Sequence, residues 1–248
     1  MQTETQCILI TGASSGIGAA LATQLVAEGY RVIGAARSAE RLKDLSAALG
    51  EAFLPLVLDV SRPDVASILH NELPVHWQQI DVLINNAGHD VGGRKPFAEG
   101  ELEQWLDIID TNLKGLLRVT YAVLPGMLQR DQGHIVNIGS TSGLESVATT
   151  AVYSSSKHGV NGFSESLRKE LEDTGIRVSQ ILPGMVRTGF AAARFGDQNR
   201  AQKFYDDFGK WLAPEDVASA VVYALKQPAH VVISQLVIVP KPRPKPKH

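Results

Sequence analysis

Short apolar runs alternate with longer segments of helical periodicity along almost the entire chain. Several of these runs lack polar alternation, which is typical of strands buried on both faces of a sheet. Because strand and helix patterns alternate, the chain is predicted to form βαβ units and a parallel sheet. Strands are predicted at residues 7–11, 31–36, 53–58, 81–85, 134–138, 177–182 and 236–239, and helices at residues 17–28, 39–49, 64–73, 102–127, 151–172 and 215–226.

These elements predict an α/β fold with one doubly wound, mostly parallel, seven-stranded sheet and helices on both faces. No linker divides the chain, so residues 1–240 are predicted to form a single domain. Residues 187–213 are polar and aromatic, and we expect a lid over a substrate pocket there, with a plain surface helix pair as the alternative. Residues 241–248 alternate Pro with basic residues, which indicates an extended, solvated tail.

Composition argues against several classes of function. The chain has 24 Lys and Arg against 26 Asp and Glu, and its net charge of −2 offers no basic excess for nucleic acid or an anionic membrane. No apolar run approaches the roughly 18 residues of a membrane span, and the N-terminal residues lack a secretory pattern. A single cysteine, Cys7, cannot form an intramolecular disulfide or a Cys-based zinc site, and no metal site is predicted. We therefore expect a cytoplasmic protein.

A glycine-rich turn follows the first predicted strand, with Gly12, Gly16 and Gly18 at the start of the next helix. Glycine allows a phosphate to approach the backbone, and a helix N-terminus supplies N–H donors. The turn therefore predicts a nucleotide site. The same residues also match the G-x-S-x-G nucleophile elbow, which would make Ser14 a nucleophile; that motif normally follows several strands, and no histidine is marked as its partner.

The end of the second strand predicts which dinucleotide is bound. An NAD site places an acidic residue about 20 residues beyond the glycines, where it binds the ribose 2′-hydroxyl. Here Ala35 and Ala36 occupy that place and Arg37 follows, with Ser38 and Arg41 close by. A guanidinium without a carboxylate suits a 2′-phosphate, so NADP(H) is favoured over NAD(H). The alternative is an exposed arginine that opens a helix.

Tyr153 and Lys157 are four residues apart, and on a helix they share one face. An ammonium beside a phenol stabilises the phenolate and is expected to lower the pKa of Tyr153. On its own such a pair is usually a surface feature. Its significance depends on the motifs around it.

Together the motifs resemble the short-chain dehydrogenase/reductase family over residues 7–240, which implies a Rossmann-like fold. The motifs are TGASSGIG at residues 11–18, Asp59-Val60, NNAG at residues 85–88, Asn112 in DTNLKG, Ser140 in IVNIGS, YSSSK at residues 153–157 and PGMVRT at residues 183–188.

The resemblance implies catalytic roles for four residues. Tyr153 would be the general acid in reduction and the general base in oxidation, and Ser140 would hydrogen-bond the substrate oxygen. Lys157 would lower the pKa of the tyrosine and hold the nicotinamide ribose. Asn112 would hold a water that links Lys157 to solvent, unless it is simply an asparagine bonded to backbone.

The resemblance also implies the cofactor contacts. Asp59 and Val60 would frame the adenine, and Asn86, Ala87 and Gly88 the adenosine ribose. The glycine turn would contribute Gly12, Ser14, Ser15, Gly16, Ile17 and Gly18, while Pro183, Gly184, Val186 and Thr188 would contact the nicotinamide end.

Residues 111–143 and 212–241 are similar to the NADP-dependent 3-hydroxy acid (serine) dehydrogenase branch of the family, and to the clavulanate-pathway aldehyde reductases. An anionic substrate needs a cation, for which Arg194 is the first candidate and Arg187 the second. Both can also be solvated lid charges. Glu145 argues against this substrate, because a carboxylate in a loop that commonly lines the pocket repels an acid unless it is paired or faces solvent.

The leading hypothesis is an NADP(H)-dependent oxidoreductase that interconverts a small alcohol, such as a 3-hydroxy acid, and its carbonyl. The alternatives are a broad carbonyl reductase of neutral ketones or aldehydes, and a non-catalytic NADP(H) sensor. Family members are usually homotetramers or homodimers. The helices at residues 102–127 and 151–172 carry more apolar residues than one core-facing stripe requires, which is consistent with such packing.

Overall fold

A computed structural model describes residues 5–241 of the protein. Its single sheet has seven strands in the order β3-β2-β1-β4-β5-β6-β7, and each neighbouring pair is parallel. The predicted α/β fold is therefore confirmed. The strands are β1 (Cys7–Thr11), β2 (Arg31–Ala36), β3 (Phe53–Val57), β4 (Val82–Asn85), β5 (Gly133–Ile138), β6 (Ile176–Pro183) and β7 (Gln235–Ile238).

Helices pack on both faces of the sheet, because the strands are apolar on both sides. One face is covered by α3, α5 and α6, which contribute residues such as Val65, Val123 and Leu167 to its core. The other face is covered by α1, α2 and α9. The helices are α1 (Gly16–Ala27), α2 (Ala39–Leu49), α3 (Val65–Asn71), α4 (Leu102–Ile109), α5 (Leu116–Arg130), α6 (Ala151–Glu170), α7 (Phe190–Phe195), α8 (Gln198–Phe208) and α9 (Pro214–Leu225).

The position of the cleft follows from the strand order. The chain runs outward from β1 to β3 on one side, and then returns to place β4 on the other side of β1. In open α/β sheets, ligands bind at the carboxyl ends of the strands where the order reverses. The fold thus places the ends of β1 and β4, and the glycine turn after β1, at one crevice.

The predicted helix at residues 102–127 is wrong as a single element. A π-helical turn, Asp110–Gly115, separates α4 from α5, and α5 continues past Pro125 to Arg130. The turn carries the buried Asn112, whose side-chain bonds to neighbouring segments hold it in place. Helical periodicity does not reveal one extra residue in a turn, so the apolar pattern predicted one continuous helix.

The stretch at residues 187–213 forms α7 and α8, which share a small core of their own around Ala191, Ala201 and Tyr205. Residues 242–248 of the predicted basic tail lie outside the described residues. Between residues 5 and 241, no helix is both long and apolar enough to cross a membrane. The same residues contain no group of three His, Cys, Asp or Glu side chains placed to hold a metal ion.

Candidate active site

The glycine turn leaves a cradle that side chains would fill. Gly12 and Gly16 adopt left-handed φ values of +68° and +53°. A Cβ on Gly18 would lie 2.2 Å from the carbonyl oxygen of Gly12, and a Cβ on Gly12 would lie 2.9 Å from the Cα of Ala87. Helix α1 begins at Gly16, so its free N–H groups face this space. The cradle therefore fits the pyrophosphate of a dinucleotide.

Hydrogen bonds fix the turn against the end of β4. The Oγ1 of Thr11 accepts from the backbone N–H groups of Asn86 and Ala87, both at 3.0 Å. The Asn86 side chain donates from Nδ2 to the carbonyl oxygens of Thr11, at 2.9 Å, and Gly12, at 3.3 Å. The Asn86 amide thus supports the cradle from below.

The residues predicted to select the cofactor lie at the ends of β2 and β3. Arg37 is exposed directly after β2, and the Ser38 Oγ caps α2 by accepting from the Arg41 N–H at 3.4 Å. Burial opposes ionisation of Asp59, but hydrogen bonds from Ser61 and the charge of Arg37 outweigh it and lower its pKa. Val60 is buried and packs on Gly115 of the π turn. Arg37 is thus an exposed cation at the position where a 2′-phosphate is expected.

Tyr153 lies in the first turn of α6, and its phenol lies beside the hydroxyl of Ser140, which follows β5. Ser140 is itself held by the short turn Thr141–Gly143, since its Oγ accepts from the Ser142 N–H at 3.0 Å. The Tyr153 ring also contacts the Phe190 ring of α7, with 6.0 Å between centroids. Two hydroxyls are therefore arranged so that one substrate oxygen can contact both.

Lys157 lies one turn after Tyr153 and is buried beneath it. Its Nζ donates to the carbonyl oxygen of Ile138 at 3.0 Å and lies 5.9 Å from the centroid of the Tyr153 ring. A Cβ on Gly88 would lie 3.7 Å from this Nζ and 3.1 Å from the Oδ1 of Asn112. The structure therefore brings Gly88, Asn112, Tyr153 and Lys157 together.

The Asn112 side chain is bound by protein atoms. Its Oδ1 accepts from the His89 backbone N–H at 2.8 Å, and its Nδ2 donates to the His89 carbonyl at 2.9 Å and to the Ser156 Oγ at 3.1 Å. These bonds use both N–H donors of the amide. The geometry thus matches the backbone-bonded alternative, and its clearest effect is to join the end of β4 to the π turn.

Burial shifts both ionisable groups of the pair toward their neutral forms. It raises the pKa of Tyr153, against the opposing effects of the Ser140 hydroxyl and the charge of Arg194. It lowers the pKa of Lys157 to about 8. The prediction that the neighbouring ammonium lowers the pKa of Tyr153 is therefore wrong for this structure, because desolvation of the phenol outweighs the attraction of nearby charges.

The segment after β6 joins the sheet to α7 and α8. The Gly184 N–H donates to the Ile238 carbonyl at 2.8 Å, and Val186 forms a β-bridge with Leu212. The Tyr205 hydroxyl lies 3.1 Å from the carbonyl oxygens of both Val186 and Thr188. A Cβ on Gly16 would lie 3.2 Å from Thr188, so this segment closes one side of the cradle. Pro183 ends β6 at the same edge of the sheet.

The two predicted substrate arginines are both engaged by the protein. The Nε of Arg194 lies 2.8 Å from the Oδ2 of Asp90, and both side chains are buried. This contact lacks hydrogen-bond alignment, so it is an ion pair of close but bent geometry. Arg187 donates to the Gln202 Oε1 at 2.9 Å and stacks on Trp211. The expectation of Arg194 as a solvated lid charge is wrong, because α7 turns that side chain inward.

Glu145 is exposed, which is the solvent-facing alternative considered for it. A small cavity of about 10 Å³ lies beside Tyr153, and Glu145 does not belong to its lining. The loop after β4 forms one wall and the start of α6 forms the other. Its lining residues are Asp90, Lys95, Phe97, Trp105 and residues 149–153.

Sequence reasoning missed three residues of this loop: His89, Asp90 and Arg94. His89 is buried, with its Nε2 3.1 Å from the Thr111 hydroxyl and 3.3 Å from an Asp107 carboxylate oxygen. Burial raises the pKa of Asp90 to about 6, although Arg194 and Arg94 oppose that rise. The one available signal was a cluster of charges, HDVGGRK, directly after NNAG.

The nucleophile-elbow alternative finds no support in this arrangement. Among residues 5–241, Ser14 makes no hydrogen bond to a histidine, and its turn follows β1 rather than a later strand. The residues that surround the turn are those of a dinucleotide cradle.

Comparisons with known proteins show the family to which the chain belongs. A family model described as short chain dehydrogenase matches residues 6–199. The NADP-dependent 3-hydroxy acid dehydrogenase of Salmonella typhi is 43% identical over 235 residues, which cover 94% of this chain and 94% of that protein. A probable NADP-dependent dehydrogenase of Haemophilus influenzae is 40% identical over 239 residues, which cover 96% of this chain and 94% of that protein.

Solved structures of NADP(H)-bound enzymes are also similar to this chain. The closed form of a serine dehydrogenase complexed with NADP+ matches with a TM-score of 0.91 and 41% identity over 94% of both chains. An actinorhodin polyketide ketoreductase variant with NADPH matches with a TM-score of 0.85 and 37% identity over 96% of this chain and 98% of that one. The chain belongs to the short-chain dehydrogenase/reductase family, and it is an NADP(H)-dependent oxidoreductase that interconverts an alcohol and its carbonyl.

Proposed function

We propose that Tyr153, Ser140, Lys157 and Asn112 are the functional set of this oxidoreductase. The observation that carries the proposal is the position of the Tyr153 phenol beside the Ser140 hydroxyl, at the crevice where the strand order reverses. Tyr153 gives its proton to the substrate oxygen in reduction and takes it back in oxidation. Ser140 holds that oxygen and stabilises its developing charge.

Lys157 and Asn112 support the reaction through where their side chains are held. The Ile138 carbonyl fixes the Lys157 ammonium below the phenol, where its charge stabilises the phenolate that forms during turnover. Asn112 fixes the loop after β4 against the π turn and so holds Gly88 beside Lys157. NADP(H), when bound, supplies or accepts the hydride at the substrate carbon.

The cofactor is held along the carboxyl edge of the sheet. The cradle binds the pyrophosphate, and Arg37 binds the 2′-phosphate through a charge-assisted contact. Asp59 and Val60 frame the adenine. The remaining contacts come from two groups of residues: Ser14, Ser15, Ile17, Asn86, Ala87 and Gly88 around the adenosine side, and Tyr153, Lys157, Pro183, Gly184, Val186 and Thr188 around the nicotinamide side.

The proposed substrate is a small 3-hydroxy acid such as serine. The names of the relatives in Salmonella typhi and of the serine dehydrogenase structure support this class. Charge supports it too, because Arg94 and Arg194 act on Tyr153 electrostatically and Asp90 offsets only one of them. Glu145, exposed to solvent, is placed outside the substrate contacts, and so is Arg187, which Gln202 already engages.

A substrate panel tests this proposal. NADP+ reduction is measured with L-serine and 3-hydroxypropionate, and NADPH oxidation with uncharged ketones and aldehydes. We expect the higher kcat/KM on the hydroxy acids. Activity confined to uncharged carbonyls would instead establish a broad carbonyl reductase. Tight NADPH binding without any turnover would establish a sensor.

The structural setting supports three further proposals. Residues 187–213 act as a lid, since α7 places Phe190 against Tyr153. The protein is a homotetramer or homodimer, because α4 and α5 expose Leu102, Leu106, Leu117, Tyr121 and Leu128, whereas α6 exposes no large apolar side chain among its described residues. Sedimentation as a monomer at micromolar concentration contradicts either oligomer. A cytoplasmic location fits the NADPH pool that the enzyme draws on, and cell fractionation tests it.

A further inference from the structure

The two arginines beside Tyr153 are in different electrostatic situations. Arg194 is buried and neutralised by Asp90, with 2.8 Å between Nε and Oδ2. Arg94 is exposed, and among residues 5–241 no carboxylate oxygen lies within 4.0 Å of its guanidinium, although Asp90 attracts it at longer range. Its guanidinium lies over the face of Phe204, 5.5 Å from the ring centroid.

A glycine pair determines where Arg94 lies. Gly92 and Gly93 have φ values of +105° and +78°, which lie outside the range that other residues readily adopt. Their turn brings the loop against α7, so that a Cβ on Gly93 would lie 3.5 Å from the Arg194 carbonyl oxygen. The Arg194 guanidinium also lies over Phe204, at 5.8 Å. Both guanidinium groups are therefore held against one lid ring.

The local charge favours an anion at this place. Arg94, Arg194 and Asp90 together carry one net positive charge, and Arg94 and Tyr153 act on each other electrostatically. Burial lowers the pKa of Arg94 and the charge of Arg194 lowers it further, although Asp90 and Tyr153 oppose that shift. A guanidinium that is repelled by a neighbouring cation gains more from an incoming carboxylate than an isolated one does.

We propose that Arg94 binds the carboxylate of the substrate and is the residue that makes the enzyme prefer acids. The proposal rests on the proposed function, which places the substrate oxygen at Tyr153. Arg194 acts as a positioning residue: its ion pair with Asp90 holds α7 beside the loop that presents Arg94. The planar guanidinium of Arg94 suits a bidentate contact that a lysine cannot reproduce.

Steady-state kinetics test the assignment. With 3-hydroxypropionate, Arg94→Gln is expected to raise KM by about 10- to 100-fold, the range for losing a charged hydrogen-bonding partner. With 1,3-propanediol, which keeps the hydroxyl and lacks the carboxylate, kcat/KM is expected to stay within about twofold. Arg94→Lys should recover part of the loss. Arg200→Gln, which removes an exposed lid arginine stacked on Phe195, is the matched control and should change neither value.

A binding measurement separates this inference from the proposed function. The complex with NADPH cannot oxidise 3-hydroxypropionate, so titrating that acid into it reports binding without turnover. Binding that weakens at least tenfold in Arg94→Gln and is unchanged in Arg200→Gln supports the assignment, even if the panel finds no turnover. Equal affinity in the wild-type protein and Arg94→Gln overturns it. The assignment is also overturned if the wild-type complex with NADPH does not bind the acid. In that case the reduction of neutral aldehydes would still support the oxidoreductase activity.

Discussion

The Nε of Arg194 lies 2.8 Å from the Oδ2 of Asp90, and this buried ion pair joins helix α7 to the loop after β4. The two residues come from opposite sides of the cleft, so the pair fixes the distance between the lid and the strand ends. Removing only one partner of such a pair strongly destabilises the folded protein, because the other charge is left buried and uncompensated.

That relationship predicts strong energetic coupling. Asp90→Asn and Arg194→Met are each expected to lower the free energy of unfolding by about 3 kcal/mol. The double variant should lose clearly less than the sum of the two, by at least about 1 kcal/mol. Urea unfolding of the four proteins measures this cycle. Additive losses would show that the two side chains do not interact.

Replacing Tyr153 with phenylalanine removes the proton donor and leaves the ring. Turnover is expected to fall by about 10²- to 10⁴-fold, the usual contribution of a general acid or base. NADPH affinity should change little, since the cradle and Arg37 are untouched. NADPH absorbance measures the rate and protein fluorescence measures binding. Tyr223→Phe, at an exposed position of α9, is the control; the proposed role is wrong if Tyr153→Phe keeps its activity.

The cofactor preference is predicted to depend on Arg37. Arg37→Ala should weaken NADPH binding by about 10- to 100-fold, because one charge-assisted contact is lost, and it should weaken NADH binding much less. Lys43→Ala removes another exposed cation from α2 and should affect neither cofactor. Fluorescence titration with both nucleotides measures the ratio. Equal losses for NADPH and NADH would remove Arg37 from the 2′-phosphate site.

Lys157 is predicted to destabilise the folded protein, although the activity requires it. Burial lowers its pKa from 10.5 to about 8, so the unfolded chain binds more protons between those values and stability rises with pH there. Below pH 8 the charged ammonium costs about 3 kcal/mol. Lys157→Met should abolish activity and raise the free energy of unfolding by about 2 kcal/mol, after the loss of about 1 kcal/mol from its hydrogen bond to Ile138.

The measurement is urea unfolding at several pH values between 7 and about 10.5. The rise with pH should disappear in Lys157→Met. It should persist in Lys169→Met, which removes an exposed lysine from the same helix. A rise that survives in Lys157→Met would assign the titration to another group.

The cradle can be tested by adding a single methyl group. Gly18→Ala places a Cβ 2.2 Å from the Gly12 carbonyl oxygen, so the turn must shift and NADPH binding should fall by more than tenfold. Gly162→Ala, in α6, meets no atom within 4 Å and should stabilise the protein by about 0.5–1 kcal/mol without affecting binding. Calorimetric titration and thermal unfolding measure the two effects. Normal NADPH affinity in Gly18→Ala would contradict a tight cradle.

Features that depend on neighbouring residues were predictable from the sequence. The seven strands contain short apolar runs, several of them without polar alternation, and the glycine turn follows the first strand directly. The pairing of Tyr153 with Lys157 follows from their spacing on a helix. In each case the deciding interaction spans a few residues, so a linear pattern contains it.

Features that depend on distant contacts were not predictable. Asp90 and Arg194 meet only because α7 folds back over the loop after β4, and nothing near either residue indicates the other. The direction of the Tyr153 pKa was predicted wrongly for a related reason. A neighbouring ammonium is visible in the sequence, whereas the burial that outweighs it depends on how α6, α7 and the turn after β5 enclose the phenol.

The π turn Asp110–Gly115 makes the chain intolerant of a one-residue deletion at this point. Shortening the turn to ordinary α-helical winding would rotate α5 by about 100° relative to α4, since each residue of an α-helix advances the side-chain direction by that angle. Val119, Val123 and Met127 would then leave the sheet face that they now fill, and Asn112 would leave His89. The length of this segment is therefore under a double constraint, from the packing of the domain and from the chemistry at its cleft.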